Sequence, residues 1–188
     1  MLELKNTNFS YGEKQILKDF SLKVSGEKAV CLFGNSGCGK TTVMKLLAGI
    51  IKPQSGTVAT EKKLSCVFQE NRLIESATLK YNLKIVLSKE QYTYAKRLLC
   101  ELDMENTLNM KVQSLSGGMK RRAEIIKAVA FSGDALLLDE AFNGLDEKNK
   151  QKCAEIIKND FLNKGKPVLI ISHNKEDAHL LNADVINI

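Results

Sequence analysis

Short apolar stretches and amphipathic stretches alternate along this chain, and their periods predict its strands and helices. The predicted strands of the first half are residues 2–8, 15–24, 28–33 and 64–68. Residues 42–48 carry a helical pattern that ends at Gly49. The Lys-Pro-Gln-Ser-Gly sequence at residues 52–56 is typical of a turn.

Between residues 70 and 114 the pattern becomes helical. Ser88 and Gln91 have the residue types and the spacing of a capping box at the start of a helix. Apolar side chains then recur on one face of that helix, at Tyr92, Ala95, Leu98, Leu99 and Leu102. We therefore expect a small helical lobe, at about residues 70–115, inserted into a larger domain.

In the second half of the chain, helices and strands alternate. The predicted elements are helices at residues 119–130 and 147–163 and from Lys175, and strands at residues 135–138, 168–172 and 185–188. This alternation predicts an α/β fold with a mainly parallel sheet flanked by helices, and the early strands predict an N-terminal antiparallel part. We expect residues 1–188 to form a single domain.

Composition narrows the class of protein without choosing a partner. The chain has 188 residues, is 44% hydrophobic and carries a formal charge of +6, and its basic residues are scattered apart from residues 120–122. This balance does not indicate a nucleic-acid surface. The five cysteines form no C-x-x-C pair, which favours reduced thiols in a cytosolic protein. No apolar run has the length of a membrane span or a signal peptide, so we expect membrane contact only through partners.

The segment between the third strand and the first helix matches the phosphate-binding pattern G-x-x-x-x-G-K-[ST] at every fixed position. It reads Gly34, Asn35, Ser36, Gly37, Cys38, Gly39, Lys40 and Thr41, followed by Thr42. Glycines let backbone N–H groups surround phosphate oxygens, the lysine brings a charge to the β- and γ-phosphates, and the threonine hydroxyl suits Mg²⁺. The alternative is a glycine-rich turn that matches by chance, but the flanking strand and helix favour the phosphate site.

Two carboxylates end an apolar strand further along the chain. Residues 135–138 run directly into Asp139 and Glu140. Ligands of parallel sheets lie at the carboxyl ends of the strands, where an aspartate can hold Mg²⁺ and a glutamate can polarise an attacking water. A buried strand that meets an acidic turn is the alternative, and the phosphate-binding pattern earlier in the chain argues against it.

A second anion site is predicted at Ser116, Gly117 and Gly118, at the start of another helix. Serine is a good N-cap, and the two glycines leave the first N–H groups of the helix uncovered. Because the chain already has a phosphate loop, a second bare helix N-terminus indicates a phosphate presented by another subunit. By itself the segment would be interpreted as a well-capped helix.

Taken in order, these motifs resemble those of the ATP-binding-cassette (ABC) ATPases over essentially the whole chain, which implies a P-loop NTPase fold. The resemblance assigns Walker A to residues 34–41, a Q-loop to Gln69, the signature to residues 115–119, Walker B to residues 136–140, a D-loop to residues 144–146 and a switch histidine to His173. The sequences that follow Phe68 and Asp139 are most similar to importer ATPases of the nitrate, sulfonate and taurine class.

The resemblance also implies roles for residues that no pattern singles out. Tyr11 would stack on adenine, with an ordinary half-buried aromatic as the alternative. Gln69 would contact Mg²⁺ and the membrane partner, although a lone glutamine after a strand is usually only a turn residue. His173 would contact the γ-phosphate, although a single histidine is more often structural. The implied catalytic residues are Glu140, His173, Lys40 and Gln69, and the implied Mg²⁺ ligands are Thr41, Gln69 and Asp139.

Three positions depart from the pattern of the family. Met119 stands where glutamine is usual, Ala141 where proline is usual, and Asn174 where aspartate is usual. None of the three departures removes a catalytic group. We therefore expect ATP hydrolysis to survive them.

The resemblance implies a nucleotide-binding subunit that hydrolyses ATP with Mg²⁺ in a head-to-tail homodimer and drives transmembrane permease subunits. It implies a cytoplasmic protein, peripheral at the inner face of the cell membrane, without direct nucleic-acid contact. The alternative is a soluble ABC ATPase that acts as an assembly or ribosome-associated factor. A P-loop kinase of small molecules would carry a substrate lid and would lack the Leu-Ser-Gly-Gly sequence at residues 115–118.

Overall fold

The computed structural model describes all 188 residues and contains two sheets and six helices. The strands are β1 (Leu2–Tyr11), β2 (Lys14–Val24), β3 (Val30–Phe33), β4 (Ser55–Ala59), β5 (Leu64–Val67), β6 (Ala135–Asp139), β7 (Val168–Ser172) and β8 (Asp184–Asn187). The helices are α1 (Lys40–Leu47), α2 (Leu79–Lys84), α3 (Lys89–Glu101), α4 (Gly117–Phe131), α5 (Glu147–Asp160) and α6 (Lys175–Leu180). Short 3-10 turns lie at Glu105–Thr107, Val112–Ser114 and Leu162–Lys164.

The larger sheet has five parallel strands in the order β5-β6-β7-β3-β8. Every residue of β6 and β7 is buried because side chains pack on both faces of the sheet. Leu136 and Leu138 point to the core shared with α4, α5 and the helical lobe, whereas Leu137 points to the core shared with α1 and the smaller sheet. The predicted α/β architecture is therefore confirmed.

The smaller sheet is antiparallel, in the order β2-β1-β4, and confirms the predicted N-terminal β part. Its third strand was missed, because residues 52–56 were predicted to be a turn and β4 begins at Ser55. Four of the five residues of β4 are exposed, so no apolar alternation marks it. Gly56 has φ +86°, and a Cβ there would lie 2.4 Å from the Asn6 carbonyl oxygen, so this strand needs a glycine where it approaches β1.

The helical lobe lies between β5 and α4, where the sequence predicts it. The capping box of α3 is present, with Ser88 accepting from the Gln91 N–H and the Gln91 side chain accepting from the Ser88 N–H. Leu98 and Leu99 are buried in the same core as Ile125 of α4, so the lobe packs directly on that helix. None of the helices in the protein is both long and apolar enough to cross a membrane.

Candidate functional site

The phosphate-binding pattern forms a tight loop between β3 and α1. Gly37 and Gly39 have φ values of +84° and +112°, a conformation that side chains with a Cβ rarely adopt. A Cβ on Gly39 would also lie 3.0 Å from Ile16 Cγ2. Gly39 caps α1 without a side chain, which leaves the first N–H groups of the helix facing the loop.

Lys40 is folded onto the loop that it belongs to. Its Nζ donates to the carbonyl oxygens of Gly34 (2.7 Å) and Asn35 (2.9 Å), and it lies 3.7 Å from Cys38 Sγ. The residue is only 7% exposed. These hydrogen bonds hold the ammonium group at the centre of the loop, where it can neutralise an anion that the loop N–H groups surround.

Thr41 and Asp139 meet at the edge of the parallel sheet. The Thr41 hydroxyl donates to Asp139 Oδ2 at 2.9 Å. Burial raises the pKa of Asp139, and the neighbouring Glu140 charge adds to that shift, while the Thr41 hydrogen bond opposes it. A buried carboxylate beside a hydroxyl provides oxygen ligands of the kind that Mg²⁺ takes.

Three adjacent strands bring Gln69, Glu140 and His173 together. These residues follow β5, β6 and β7, and the carboxyl ends of neighbouring parallel strands share one edge of the sheet. Glu140 Oε1 lies 3.3 Å from His173 Nδ1, and Gln69 Nε2 lies 3.5 Å from Glu140 Oε2. Glu140 has φ +49°, a strained backbone conformation of the kind found at functional sites.

Asn143 is a site residue that the sequence analysis missed. Its Nδ2 donates to Glu140 Oε2 at 2.6 Å, the shortest of the contacts around that carboxylate. Asn143 lies in the turn after β6, between Ala141 and the D-loop. Asparagine is common in such turns. The sequence carries no signal that separates it from an ordinary turn asparagine.

Two neighbouring cavities lie over this edge. One has a volume of about 320 Å³ and is lined by Tyr11, the phosphate loop, Gln69, Asp139 and Glu140. The other, of about 330 Å³, lies between residues 33–36 of the loop, Gln69, Glu140 and His173. Tyr11 is about half exposed, and its ring packs nearly perpendicular to that of Phe9. Together the cavities place most of the predicted site residues around one space.

Ser116, Gly117 and Gly118 lie outside both cavities. Ser116 caps α4, with its hydroxyl accepting from the Met119 N–H at 3.2 Å. Ser116 and Gly117 are exposed, and apart from its own helix backbone no part of the chain lies within 4 Å of the position that a Cβ on Gly117 would take, whereas a Cβ on Gly118 would lie 3.2 Å from the Gly144 carbonyl oxygen. The start of α4 is thus an open helix N-terminus that its own chain does not fill.

The three departures from the family pattern leave the local structure intact. Asn174 still caps α6, because its Oδ1 accepts from the Glu176 N–H at 2.9 Å as an aspartate would. Ala141 is fully buried, and Met119 packs on the core that α4, α5 and the helical lobe share. None of these side chains contacts Glu140 or the phosphate loop in the hydrogen-bonded network described above.

A family model described as "ABC transporter" matches residues 17–143 of the chain. The chain belongs to the ABC transporter family. The match spans more than half of the sequence and includes the phosphate loop, the signature segment and both acidic residues at the end of β6. The chain therefore carries the ATPase domain of ABC transporters, as its motifs predict.

Named relatives and a solved structure agree with the assignment to the ABC family. The chain is 27% identical to an ergothioneine transport ATP-binding protein of Helicobacter pylori, covering 100% of this chain and 97% of the relative. It is 29% identical to a taurine import ATP-binding protein of Yersinia pestis, covering 99% and 78%. It also matches a dimeric ATP-binding cassette in a post-hydrolysis state bound to ADP and Pi, at TM-score 0.88 and 26% identity, covering 100% and 94%.

The predicted family, the fold and the ATPase class are therefore confirmed. The predicted likeness to taurine importer ATPases is also confirmed, since such a protein is among the relatives. The assignment of residues 1–188 to one domain and the roles of the individual site residues stay predictions.

Proposed function

We propose that this chain is the nucleotide-binding subunit of an ABC transporter, which binds ATP and hydrolyses it to drive partner permease subunits. The observation that carries the proposal is the position of Glu140, between Gln69 and His173 and beside the phosphate loop. A carboxylate there is placed to orient water against a γ-phosphate held in the loop.

In the proposed site, ATP lies along the cavity that Tyr11 and the phosphate loop line. Tyr11 stacks on the adenine at one end, since its exposed ring lines that cavity. At the other end, loop N–H groups from residues 34–42 and Lys40 surround the phosphates. Lys40 leaves the carbonyl oxygens of Gly34 and Asn35 for the β- and γ-phosphate oxygens, and so stabilises the charge that moves during transfer.

Mg²⁺ fits this site through Thr41, Asp139 and Gln69. The protein has no cluster of three or more His, Cys, Asp or Glu side chains that would form a closed metal cage. Mg²⁺ in nucleotide sites is held in this open way, by one or two carboxylates together with the phosphates and water. When bound, the ion neutralises charge on the phosphate oxygens, while Glu140, Asn143 and His173 position the water and the γ-phosphate.

A second subunit completes the proposed site in a head-to-tail homodimer. The exposed N-terminus of α4, at Ser116, Gly117 and Gly118, offers free N–H groups to the γ-phosphate bound by the loop of the other chain. The dimeric cassette with ADP and Pi, to which this chain is similar, supports the pairing. Loss of the γ-phosphate then removes the group that holds the two subunits together.

The helical lobe is the proposed docking surface for a permease. Its exposed apolar side chains lie on α2 and on the segments that are hydrogen-bonded to it, at Ile74, Tyr81, Ile85, Val86 and Met110. Isolated exposed apolar residues are common, but a group of five in one small lobe indicates a protein contact. The chain would thus lie in the cytoplasm at the inner face of the cell membrane, without direct nucleic-acid contact.

The first experiment measures release of phosphate from ATP by the purified chain, with Mg²⁺ and with EDTA. We expect phosphate release that requires Mg²⁺. The rate per chain should rise with protein concentration, because the site needs two subunits. Turnover that is independent of protein concentration from dilute to concentrated solution would contradict the shared site.

A second experiment separates a transporter subunit from a soluble ABC ATPase. Tyr81→Asp with Ile85→Asp places charge on the proposed docking surface, and Gln151→Asp on the exposed side of α5 is the matched control. With the cognate permease in vesicles, we expect only the lobe variant to lose binding and transport, while its ATPase activity in solution is retained. If neither the wild type nor the control binds the permease, the soluble factor is the better assignment.

A further inference from the structure

Arg121 of α4 is hydrogen-bonded to the main chain of the Q-loop. Its Nη1 donates to the Phe68 carbonyl oxygen and its Nη2 to the Gln69 carbonyl oxygen, both at 2.7 Å. The two donors of a planar guanidinium thus bind two successive carbonyls, a geometry that a lysine cannot reproduce. The side chain is 13% exposed, so these bonds are largely shielded from water.

Glu124 is hydrogen-bonded to the other end of the same segment, at Arg72. It lies three residues after Arg121, on the same face of α4. One of its oxygens accepts from the Arg72 N–H at 2.7 Å, and the other lies 3.1 Å from Arg121 Nη1. Burial raises the pKa of Glu124, while the Arg72 N–H and the Arg121 charge oppose that shift. The pair therefore anchors residues 68–72 to α4 at three points of the main chain.

This anchor connects two parts of the proposed site. Gln69 is held through its own carbonyl oxygen, and its side chain reaches Glu140 Oε2 at 3.5 Å. Ser116, the N-cap of the same helix, lies five residues before Arg121, less than two helical turns away. One helix of 15 residues thus carries both the open N-terminus and the anchor of Gln69.

We propose that Arg121 and Glu124 are positioning residues, which make Gln69 move as one body with the helix that presents Ser116 to the second subunit. The proposal rests on the function proposed above. Neither side chain lines either cavity, so the pair acts on ATP through Gln69, beside a smaller effect of the Arg121 charge, which lowers the pKa of Asp139 and which Arg121→Lys would retain. A purely stabilising role is the competing explanation, although buried ion pairs are weak stabilisers compared with apolar residues of similar volume.

The test uses two variants and a control. Arg121→Met with Glu124→Leu removes both charges together, which avoids leaving one buried charge without its partner. Arg121→Lys keeps a charge beside Glu124 and loses the two-pronged contact, so it serves if the first variant folds poorly. Lys127→Met is the control, because Lys127 is a partly buried cation of the same helix whose charge also acts on Glu124 but which makes no hydrogen bond to residues 68–72.

We expect kcat to fall about tenfold in Arg121→Met with Glu124→Leu and in Arg121→Lys, because Gln69 would be misplaced near the reacting atoms. The affinity of the monomer for ATP should be unchanged. The decisive measurement combines each variant with Gln69→Ala. If the pair acts through Gln69, the combined variants are no slower than Gln69→Ala alone. If the pair only stabilises the fold, the losses multiply, and that result would overturn the proposal.

Hydrogen exchange provides a readout that does not depend on activity. We expect peptides that contain residues 68–72 to exchange faster in both variants of the Arg121–Glu124 pair, and at the wild-type rate in Lys127→Met. Unchanged exchange of that segment would overturn the anchor even if kcat falls. A wild-type chain that releases no phosphate from ATP would instead contradict the proposed function, and the exchange experiment would still decide whether the anchor exists.

Discussion

The hydroxyl of Thr41 lies 2.9 Å from Asp139 Oδ2, although 98 residues separate the two in the chain. Thr41 lies in the first turn of α1 and Asp139 ends β6, so this hydrogen bond joins the phosphate loop to the acidic edge of the sheet. In the proposed site both oxygens bind Mg²⁺. The buried carboxylate is then retained for that ion, at a cost to the stability of the protein without nucleotide.

The first prediction follows from that cost. Without Mg²⁺ and nucleotide, Asp139→Asn should unfold at a higher urea concentration than the wild type at about pH 7, because the charged form of a carboxyl with a raised pKa disfavours the folded state. Below its ordinary pKa, Asp139 is protonated in both the folded and the unfolded state. The extra stability of Asp139→Asn over the wild type should therefore shrink as the pH falls through the raised pKa of Asp139 towards its ordinary value.

Urea midpoints in EDTA across this pH range measure the effect, and phosphate release should be lost in the same variant. Asp134→Asn is the control, since Asp134 is exposed and lies just before the same strand. A variant that is less stable than the wild type at neutral pH would show that the ionised Asp139 stabilises the fold.

Glu140→Gln should keep ATP binding and lose turnover by about 100-fold or more, the scale of a general base. Glutamine keeps the shape of the side chain and removes the charge that orients water. Because ATP then persists, the variant should form a dimer with Mg-ATP that light scattering detects. Glu155→Gln, at an exposed position of α5, is the control. Hydrolysis by Glu140→Gln at the wild-type rate would remove Glu140 from this role.

The two ends of the shared site can be separated by substitution. Lys40→Ala should weaken nucleotide binding by the monomer about ten- to hundredfold, because it removes hydrogen bonds to a charged ligand within one chain. Ser116→Arg should leave binding by the monomer intact and prevent the ATP-dependent dimer, since the side chain would fill the open N-terminus of α4. Titration calorimetry and light scattering give the two readouts, and loss of monomer binding in Ser116→Arg would contradict the model.

Cysteine labelling tests whether nucleotide covers the loop. We expect maleimide to modify Cys38 more slowly with Mg-ATP than without it, because bound phosphates would cover the loop that contains this half-buried thiol. Exposed Cys100 should label equally in both conditions. Cys31 should label slowly throughout, since it is fully buried and burial raises its pKa to about 11. Equal labelling of Cys38 in both conditions, mapped by mass spectrometry, would place its thiol away from the nucleotide.

Features that depend on neighbouring residues were predicted from the sequence alone. The glycines and the lysine of residues 34–41 determine a loop conformation within eight residues. The apolar runs of β6 and β7 and the capping box at Ser88 likewise carry their signals locally, so the α/β order and the helical lobe were predicted correctly. The same local motifs, in order, were enough to predict the family.

Only the tertiary structure decided which of these segments meet. The mostly exposed β4 has no periodic pattern and is defined by its hydrogen bonds to β1. The contact of Arg121 with Gln69 spans 52 residues, and it exists because β5 and α4 pack side by side in this fold. Sequence periodicity records which face of a segment is buried, but it carries no information on which other segment covers that face. Which segment covers which face is decided by the order of strands in the sheet and by the packing of the helices.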